Sequence, residues 1–297
     1  MKPSPLVAFG ACALGIAIFS AMDAVMKGLV LAIGVYAALL WRTVATLVLT
    51  GVAWGLRAPL LPTRTAMRLH VVRSIVTLVM ALLFFWGLAR VPMAQAIALA
   101  YIAPLLSLFL AAMLLGERIR RTTLIAAAVA SGGIGVILFG QSVSDMGDDA
   151  LAGAIAILVS AIFYAWNIVL MRQQALVAGP VEIAFFQSLV IAILLACAYP
   201  WVGRMPDAAH WPAVVLGAIL AAMSLVLLSW GYARAEASYL APTEYTGFLW
   251  ATLFGFVVFG EVPSPYTIAG AALIVGACAV AIRRPRDSDP VLEAALP

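Results

Sequence analysis

The residues best placed to do chemistry are the few charged side chains that lie inside long apolar segments. Arg42 lies well inside one such segment, and Asp23 and Lys27 lie one helical turn apart near the end of the preceding one. A charge at that depth costs several kcal/mol unless it faces water or a partner. Asp23 is therefore the expected partner of Arg42, and it is also within reach of Lys27. Two roles stay open: an ion pair that fixes two helices, or direct contact with a substrate or a proton.

Glu244 is a further carboxylate inside an apolar segment. If it is desolvated, a carboxyl group in such a place is a candidate proton site. The alternative is a residue near the membrane surface that is solvated or paired with Arg234. The spacing of the residues does not separate these two readings.

Aromatic and amide side chains form a second group of candidates. Tyr101 and Tyr245 each combine a ring that packs with a hydroxyl that needs a partner. Pro104, just after Tyr101, would free a backbone carbonyl that can bind a solute. These features favour a binding cavity over plain core packing. The other candidates for its lining are Phe19, Phe84, Tyr164, Asn167, Gln187 and Phe248.

The segments that must position these residues have the composition of a membrane protein. Hydrophobic residues make up 65% of the chain and charged residues 10%, against roughly 45–50% and about 25% in soluble domains. Apolar runs of about twenty residues are long enough to cross a bilayer as helices. We predict ten crossings, at residues 6–27, 33–54, 69–89, 92–115, 121–140, 151–172, 180–202, 211–233, 238–260 and 264–283.

The basic residues between these crossings predict the orientation of the chain. Sorted by side, thirteen Lys and Arg residues, Arg73 among them, fall on the side of both termini, and three fall on the other side. Because Lys and Arg in short loops are retained in the cytoplasm, we expect both termini to be cytoplasmic.

One stretch of the chain occurs twice. Phe84 to Tyr101 and Leu228 to Tyr245 share Trp, Gly, Ala, Arg and Tyr at a constant spacing of 144 residues, and a Gly-Glu pair follows in both copies. We therefore predict two five-helix units, residues 1–140 and 150–284, followed by a cytoplasmic tail at 285–297. Because five is odd, the second unit enters the membrane from the opposite side, which gives an inverted-topology repeat around a central cavity.

Inverted repeats are typical of secondary transporters, in which two halves expose a midplane site alternately to each side. Other function classes lack their motifs here. No GxxxxGK[ST] phosphate loop is present, His70 and His210 stand alone, and the three cysteines follow no metal-binding spacing. We expect no enzyme activity, metal, cofactor or nucleic-acid partner. A channel or an assembly protein of the membrane remains the alternative. The small-residue faces of the fifth and tenth helices would allow either contact within the bundle or a homodimer.

The overall pattern, two five-helix halves that each carry a Gly-Glu near the end of the fourth helix, resembles the drug/metabolite transporter superfamily and its EamA-type members. Three segments are similar to the bacterial aromatic amino-acid exporter group: FSAMDAVMKG (Phe19 to Gly28), AYIAP (Ala100 to Pro104) and SAIFYAWN (Ser160 to Asn167). The resemblance implies a multi-pass protein of a bacterial inner membrane that exports amino acids or similar small metabolites. Export of another metabolite or a drug-like solute is the alternative.

Overall fold

The apolar segments of the sequence form α-helices, and no strand occurs among the residues that the computed structural model describes. Those residues are 5–56, 62–103, 105–107, 109–110, 121–143, 147–175, 177–232, 234 and 237–282. Numbered along the chain, the helices are α1 (Pro5–Ile33), α2 (Val35–Gly55), α3 (Arg64–Leu88), α4 (Met93–Ala100), α5 (Arg121–Val143), α6 (Gly147–Ala175), α7 (Pro180–Val202), α8 (Trp211–Tyr232), α9 (Ala237–Phe259) and α10 (Pro265–Ile282).

Each predicted crossing overlaps one of these helices. By length and composition, six helical stretches can cross a membrane: Leu6–Ile33, Val35–Gly55, Arg64–Leu88, Asp149–Met171, Pro180–Val202 and Ala208–Gly231. Of the other four, α5, α9 and α10 contain shorter apolar stretches, at Ala127–Gly140, Thr243–Phe259 and Pro265–Ala277, and α4 has eight residues. An all-helical membrane protein is therefore the architecture of the described residues. The count of ten crossings stays a prediction.

Two described glycines at helix ends have positive φ. Gly34 alone separates α1 from α2 with φ of 82°, and Gly260 follows the end of α9 with φ of 68°. Glycine adopts this left-handed conformation without the steric cost that other residues meet. At Gly260 the turn redirects the chain so that the side chain of Glu261 reaches back to the N-terminus of α4. The second Gly-Glu pair, Gly260 and Glu261, is thus a turn followed by a helix-to-helix contact.

The helices of the two halves pack against each other in matching pairs. α2 packs on α7, α4 on α9 and α5 on α10, each pair joining a helix to its counterpart five positions later. The extensive contact between α3 and α6 is likewise mirrored by the contact between α8 and α1. Core contacts are therefore made mainly between the halves, so that residues from both halves meet at the centre.

Glycines let these paired helices approach closely. A Cβ atom on Gly87 of α3 would lie 2.5 Å from the carbonyl oxygen of Gly153 in α6. Gly133 of α5 and Gly270 of α10 face each other in the same way, at 2.8 Å and 2.6 Å from the opposite carbonyl oxygen. The small-residue faces of α5 and α10 are thus in contact within one chain. A homodimer stays a prediction.

The Trp and Arg of the repeated Trp-Gly-x-Ala-Arg phrase make the same contacts in both copies. Arg90 donates from Nη1 to the carbonyl oxygen of Trp86 at 2.8 Å, and Arg234 to that of Trp230 at 3.1 Å. Each guanidinium also lies over the indole of its tryptophan, 3.5 Å and 4.2 Å from the ring centroid. The phrase is therefore a helix-ending motif in which Arg satisfies a terminal carbonyl and stacks on Trp.

We expect Gly87→Ala to lower the thermal unfolding midpoint of the protein in detergent. The added methyl group would meet backbone atoms of Gly153, which cannot move aside like a flexible side chain, and overpacking of this kind costs roughly 1–3 kcal/mol. Gly132→Ala is the matched control, because nothing lies within 4 Å of the position of its Cβ. Equal midpoints for the two variants would contradict the close approach of α3 and α6.

Candidate functional site

Tyr101 and Tyr245 meet at the contact between α4 and α9. Their ring centroids lie 5.6 Å apart with the planes at 81°, an edge-to-face arrangement. The Tyr101 hydroxyl donates toward the backbone carbonyls of Glu244 and Tyr245, at 3.1 Å and 3.3 Å. Gly247 leaves room for this hydroxyl, since a Cβ atom there would lie 3.1 Å from it. The structure thus brings the two repeat tyrosines into direct contact between the halves.

The carboxyl group of Glu244 lies beside the same tyrosines. It makes a side-chain hydrogen bond with Tyr164 of α6, which also lies within electrostatic range of Tyr101 and Asp23. Arg234, the alternative partner of Glu244, donates from its guanidinium to the carbonyl oxygen of Trp230 and lies over its indole. We call Asp23, Tyr101, Tyr164, Glu244 and Tyr245 the central cluster. Its members come from α1, α6, α9 and the C-terminal end of α4, and therefore from both halves.

Asp23 is the least satisfied member of the central cluster. It is 0% exposed, and neither carboxylate oxygen has a hydrogen-bond partner among the described residues. Arg42 lies within electrostatic range. Its Nη1, however, donates to the Met22 sulfur at 3.4 Å, and its guanidinium carbon lies 5.8 Å from the centroid of Phe85. The predicted Asp23–Arg42 ion pair is therefore not formed within 4 Å in the described chain, because the guanidinium contacts the side of α1 that carries Met22.

Lys27 has a different partner from the one that the sequence predicts. Its Nζ donates to Glu261 Oε1 and to the carbonyl oxygen of Val91, the latter at 2.7 Å. Glu261 Oε2 also accepts from the backbone N–H of Met93 at 2.7 Å. The predicted Lys27–Asp23 bridge is thus wrong, because the ammonium group of Lys27 binds the carboxylate of Glu261 and the backbone carbonyl of Val91 together. We call Lys27, Val91, Met93 and Glu261 the α1–α9 latch.

A second polar network joins α3, α6 and α7. The Arg73 guanidinium donates from Nε to Asn167 Oδ1 at 2.9 Å and from Nη1 to Gln174 Oε1 at 2.5 Å. Gln174 Nε2 contacts His70 Nδ1 at 2.6 Å, and His70 Nε2 lies 3.1 Å from Glu182 Oε1. We call these five residues the α3–α6 network. Asn167, which the sequence predicts to line a cavity, here accepts a hydrogen bond from a buried arginine.

Most of this network is not predicted from the sequence. The sequence places Arg73 among the basic residues that orient the loops, and His70 stands alone in it. Both are buried in α3, at 3% and 0% exposure. Their spacing carried the missing information, because positions 70, 73 and 77 lie on one face of a helix, as do 167 and 174 on α6. Thr77 completes the face by donating to Asn167 Oδ1 at 3.1 Å.

The remaining predicted residues are dispersed. Phe19 is 40% exposed, Phe84 packs edge-to-face on Phe85 at 5.3 Å, and Phe248 is half-buried against the core. Gln187 is half-buried, and its Oε1 has no hydrogen-bond partner among the described residues. Pro104 lies outside the described residues. Of the predicted substrate-binding residues, the structure therefore brings Tyr101, Tyr164 and Tyr245 together in the central cluster. It places Asn167 in the α3–α6 network.

Two surface concavities lie away from these residues. One, of about 410 Å³, lies between the α1–α2 turn and the end of α7 and is lined by Tyr36, Trp201 and Arg204 among others. The other, of about 430 Å³, is apolar and lies between α1, α8 and α9, beside Leu29 and Phe254. Neither is lined by a predicted substrate-binding residue. The described residues also contain no group of three or more His, Cys, Asp and Glu side chains that could hold a metal ion.

Comparison with known proteins assigns the fold to a family. Residues 7–139 and, separately, residues 151–283 match the EamA-like transporter family. The chain belongs to the EamA-like transporter family. The predicted EamA-type membership and the prediction that the protein is not an enzyme are confirmed. As a member of this family, the chain is a multi-pass membrane protein of the transporter class.

Several relatives within this class carry more specific names. The chain is 29% identical over 217 residues to a pseudopaline exporter of Pseudomonas aeruginosa, covering 72% of this chain and 75% of the relative. It is 31% identical to a probable terminal-alkyne amino-acid exporter of Streptantibioticus cattleyicolor over 67% of each chain. It is 29% identical to a riboflavin transporter of Rhizobium johnstonii, over 64% of this chain and 62% of that one.

A solved structure also superimposes on this EamA-like chain. That crystal structure covers 96% of this chain and 100% of its own, with a TM-score of 0.61 and 24% sequence identity. At this level of identity the similarity shows the fold alone. The arrangement of helices described above is therefore shared with a protein solved by crystallography.

Proposed function

We propose that this protein is a secondary transporter that exports amino acids or similar small metabolites across the cytoplasmic membrane by alternating access. The observation that carries the proposal is the central cluster, in which Asp23, Tyr164 and Glu244 meet the paired tyrosines between the two halves. The buried carboxylate of Asp23 and the half-buried carboxylate of Glu244, among aromatic rings, suit a small solute with an ammonium group and an apolar body. The names of two relatives, an exporter of pseudopaline and a probable exporter of an amino acid, support this substrate class.

The proposed architecture has ten membrane helices in two inverted five-helix units, residues 1–140 and 150–284. Its support is the matched packing of helices five positions apart and the two separate family matches. The excess of Lys and Arg on one side supports cytoplasmic termini in a bacterial inner membrane. In this orientation the α1–α9 latch lies at the outer face, and the α3–α6 network lies toward the cytoplasm.

Within this architecture the central cluster is the proposed substrate site. The tyrosine rings would contact the apolar part of the solute. The carboxyl groups of Asp23 and Glu244 would bind a proton in the absence of solute and the ammonium group of the solute in its presence. Phe84, Phe248 and Gln187 would join the lining when the halves move apart. Such movement would change which face of the protein is open.

A second candidate is export or import of a larger aromatic metabolite. The observation in its favour is the similarity to a riboflavin transporter, at 29% identity. The two candidates differ in the size of cavity that the central cluster must form. A panel of solutes that includes riboflavin separates them directly.

We expect purified protein in liposomes to show saturable counterflow of at least one labelled amino acid. Tyr101→Phe should reduce this counterflow several-fold, because it removes the hydroxyl that binds two α9 carbonyls, and a hydrogen bond of this kind contributes about 1 kcal/mol. Tyr266→Phe is the matched control, since Tyr266 is 38% exposed in α10.

The same experiment tests the alternatives. Counterflow of riboflavin without that of any amino acid would favour the second candidate. Linear, unsaturable flux would indicate a channel, because a channel shows no counterflow. Folded protein that moves no solute in the panel would contradict the proposed function.

A further inference from the structure

Arg73 is a buried cation whose described partners are all neutral. It is 3% exposed, and its two hydrogen bonds go to the amide oxygens of Asn167 and Gln174. The described basic side chains that lie within 4 Å of a carboxylate are Lys27, beside Glu261, and His70, beside Glu182, so no described carboxylate lies within 4 Å of the Arg73 guanidinium. Burial of a charge without a counter-charge costs several kcal/mol. Two amide dipoles offset only part of this cost.

The nearest carboxylate in the α3–α6 network is already engaged. Gln174 gives its oxygen to Arg73, so its Nε2 must be the donor to His70 Nδ1. His70 therefore carries its proton on Nε2 and donates it to Glu182. This assignment of the tautomer follows from the hydrogen-bond network. Glu182 is thus separated from Arg73 by two side chains, and the network holds the guanidinium in place without neutralising it.

Arg73 also lies beside the proposed pathway. Tyr164, which hydrogen-bonds Glu244 in the central cluster, lies within electrostatic range of Arg73. Asn167 and Gln174 take two of the five guanidinium N–H groups, so further donors remain for a planar acceptor. A guanidinium fixed in this way is suited to bind a carboxylate through two parallel hydrogen bonds.

We propose that Arg73 binds the carboxylate of the transported solute as the pathway opens toward the cytoplasm, and that the protein selects solutes which carry this group. The inference rests on the proposed function, and it narrows the substrate class to carboxylates. The carboxylate supplies the counter-charge that the described surroundings of Arg73 lack. The ammonium group and apolar body of an amino acid then extend toward the carboxylates and rings of the central cluster.

Binding can be tested without transport, with benzoate and benzamide as a charged and a neutral probe of nearly equal shape. Benzoate at millimolar concentration should raise the thermal unfolding midpoint of the purified full-length protein, because a ligand that binds only the folded state stabilises it. Benzamide should give no such increase. Arg73→Gln should lose the benzoate effect, and Arg68→Gln, an exposed arginine of the same helix, should keep it.

A second variant covers the case in which Arg73→Gln fails to fold. Asn167→Asp places a carboxylate where Arg73 Nε already donates, and so supplies the missing counter-charge from within the protein. We expect this variant to stay folded and to lose the response to benzoate. An arginine that only stabilises the contact between α3 and α6 would leave that response unchanged in Asn167→Asp.

Transport gives the second readout. For each labelled amino acid that exchanges, its carboxamide should compete at least tenfold less well than the acid in wild-type protein. Arg73→Lys should keep part of this preference, and Arg73→Gln and Asn167→Asp should lose it. Absence of exchange by wild-type protein contradicts the proposed function. A benzoate effect or acid preference that survives in Arg73→Gln, or no benzoate effect in wild-type protein, overturns the role of Arg73.

Discussion

Replacing Asp23 by asparagine is expected to lower counterflow at least tenfold while the protein keeps its unfolding midpoint. Asp23 is fully buried, and its oxygens have no hydrogen-bond partner among the described residues, so the amide loses no described contact. It does lose the capacity to carry a charge or a proton. A tenfold change in rate corresponds to about 1.4 kcal/mol, a modest amount for the loss of a charged contact in a low-dielectric site. Counterflow in liposomes and thermal unfolding in detergent measure the two effects separately.

Asp149→Asn provides the matched control, because Asp149 is an exposed carboxylate near the start of α6. This variant should change neither measurement. An Asp23 that serves only to compensate Arg42 predicts the opposite pattern, in which Asp23→Asn lowers the midpoint and keeps transport. That outcome would remove Asp23 from the proposed substrate site.

The second large effect is expected at the α1–α9 latch. Lys27→Met and Glu261→Gln should each lower the free energy of unfolding by about 3 kcal/mol, because each leaves the other charge without its partner in a largely buried place. The double variant should recover most of this loss. Glutamine at position 261 can still accept the N–H of Met93, so the double variant loses the charges and keeps this contact.

Unfolding in detergent micelles, measured for the wild type and all three variants, gives a double-mutant cycle. The coupling energy should be at least about 1 kcal/mol, the upper end of the range for exposed ion pairs. Arg204→Met, a change at an exposed arginine, controls for the loss of a positive charge. Additive effects of the two single changes would show that Lys27 and Glu261 act independently.

The sequence predicted the helices well, because the length of an apolar run and the glycines at its ends are local properties. Each predicted crossing overlaps a helix, and Gly34 and Gly260 adopt the left-handed conformation at helix ends. The repeat predicts that Tyr101 and Tyr245 occupy related positions. They meet because α4 packs against its counterpart α9.

Partners of the long charged side chains could not be predicted in the same way. Lys and Arg reach several ångströms from the helix, so spacing along one helix does not determine which neighbour they contact. Lys27 binds Glu261, which is 234 residues away along the chain, and not Asp23, which is one turn away in the same helix. Arg42 similarly contacts Met22 and Phe85. Only the packing of helices from different parts of the chain decides between such partners.

Arg73 shows a different limit. Its place close to a predicted loop made a role in membrane orientation the simplest interpretation, since basic residues there are common. The face that it shares with His70 and Thr77 indicates burial only once α6 is known to supply Asn167 and Gln174. The role of a polar helix face depends on the helix that packs against it, and no local sequence pattern identifies that helix.

Because of the α1–α9 latch, we expect the contacts that close the proposed outer face to be stronger than those described at the proposed inner face. In the repeat, the position that corresponds to Lys27 is occupied by Asn167, which is uncharged and bound to Arg73. Glu117, the counterpart of Glu261, lies outside the described residues. Opening the proposed outer face would separate the ammonium group of Lys27 from the carboxylate of Glu261, whereas opening the inner face would separate Arg73 from the neutral amides of Asn167 and Gln174. The contact of His70 with Glu182 on the inner side involves a neutral imidazole. We therefore expect the empty protein to spend most of its time open to the cytoplasm. A population biased in this way loads solute from the side where the cell makes it, and external solute finds few molecules ready to bind it.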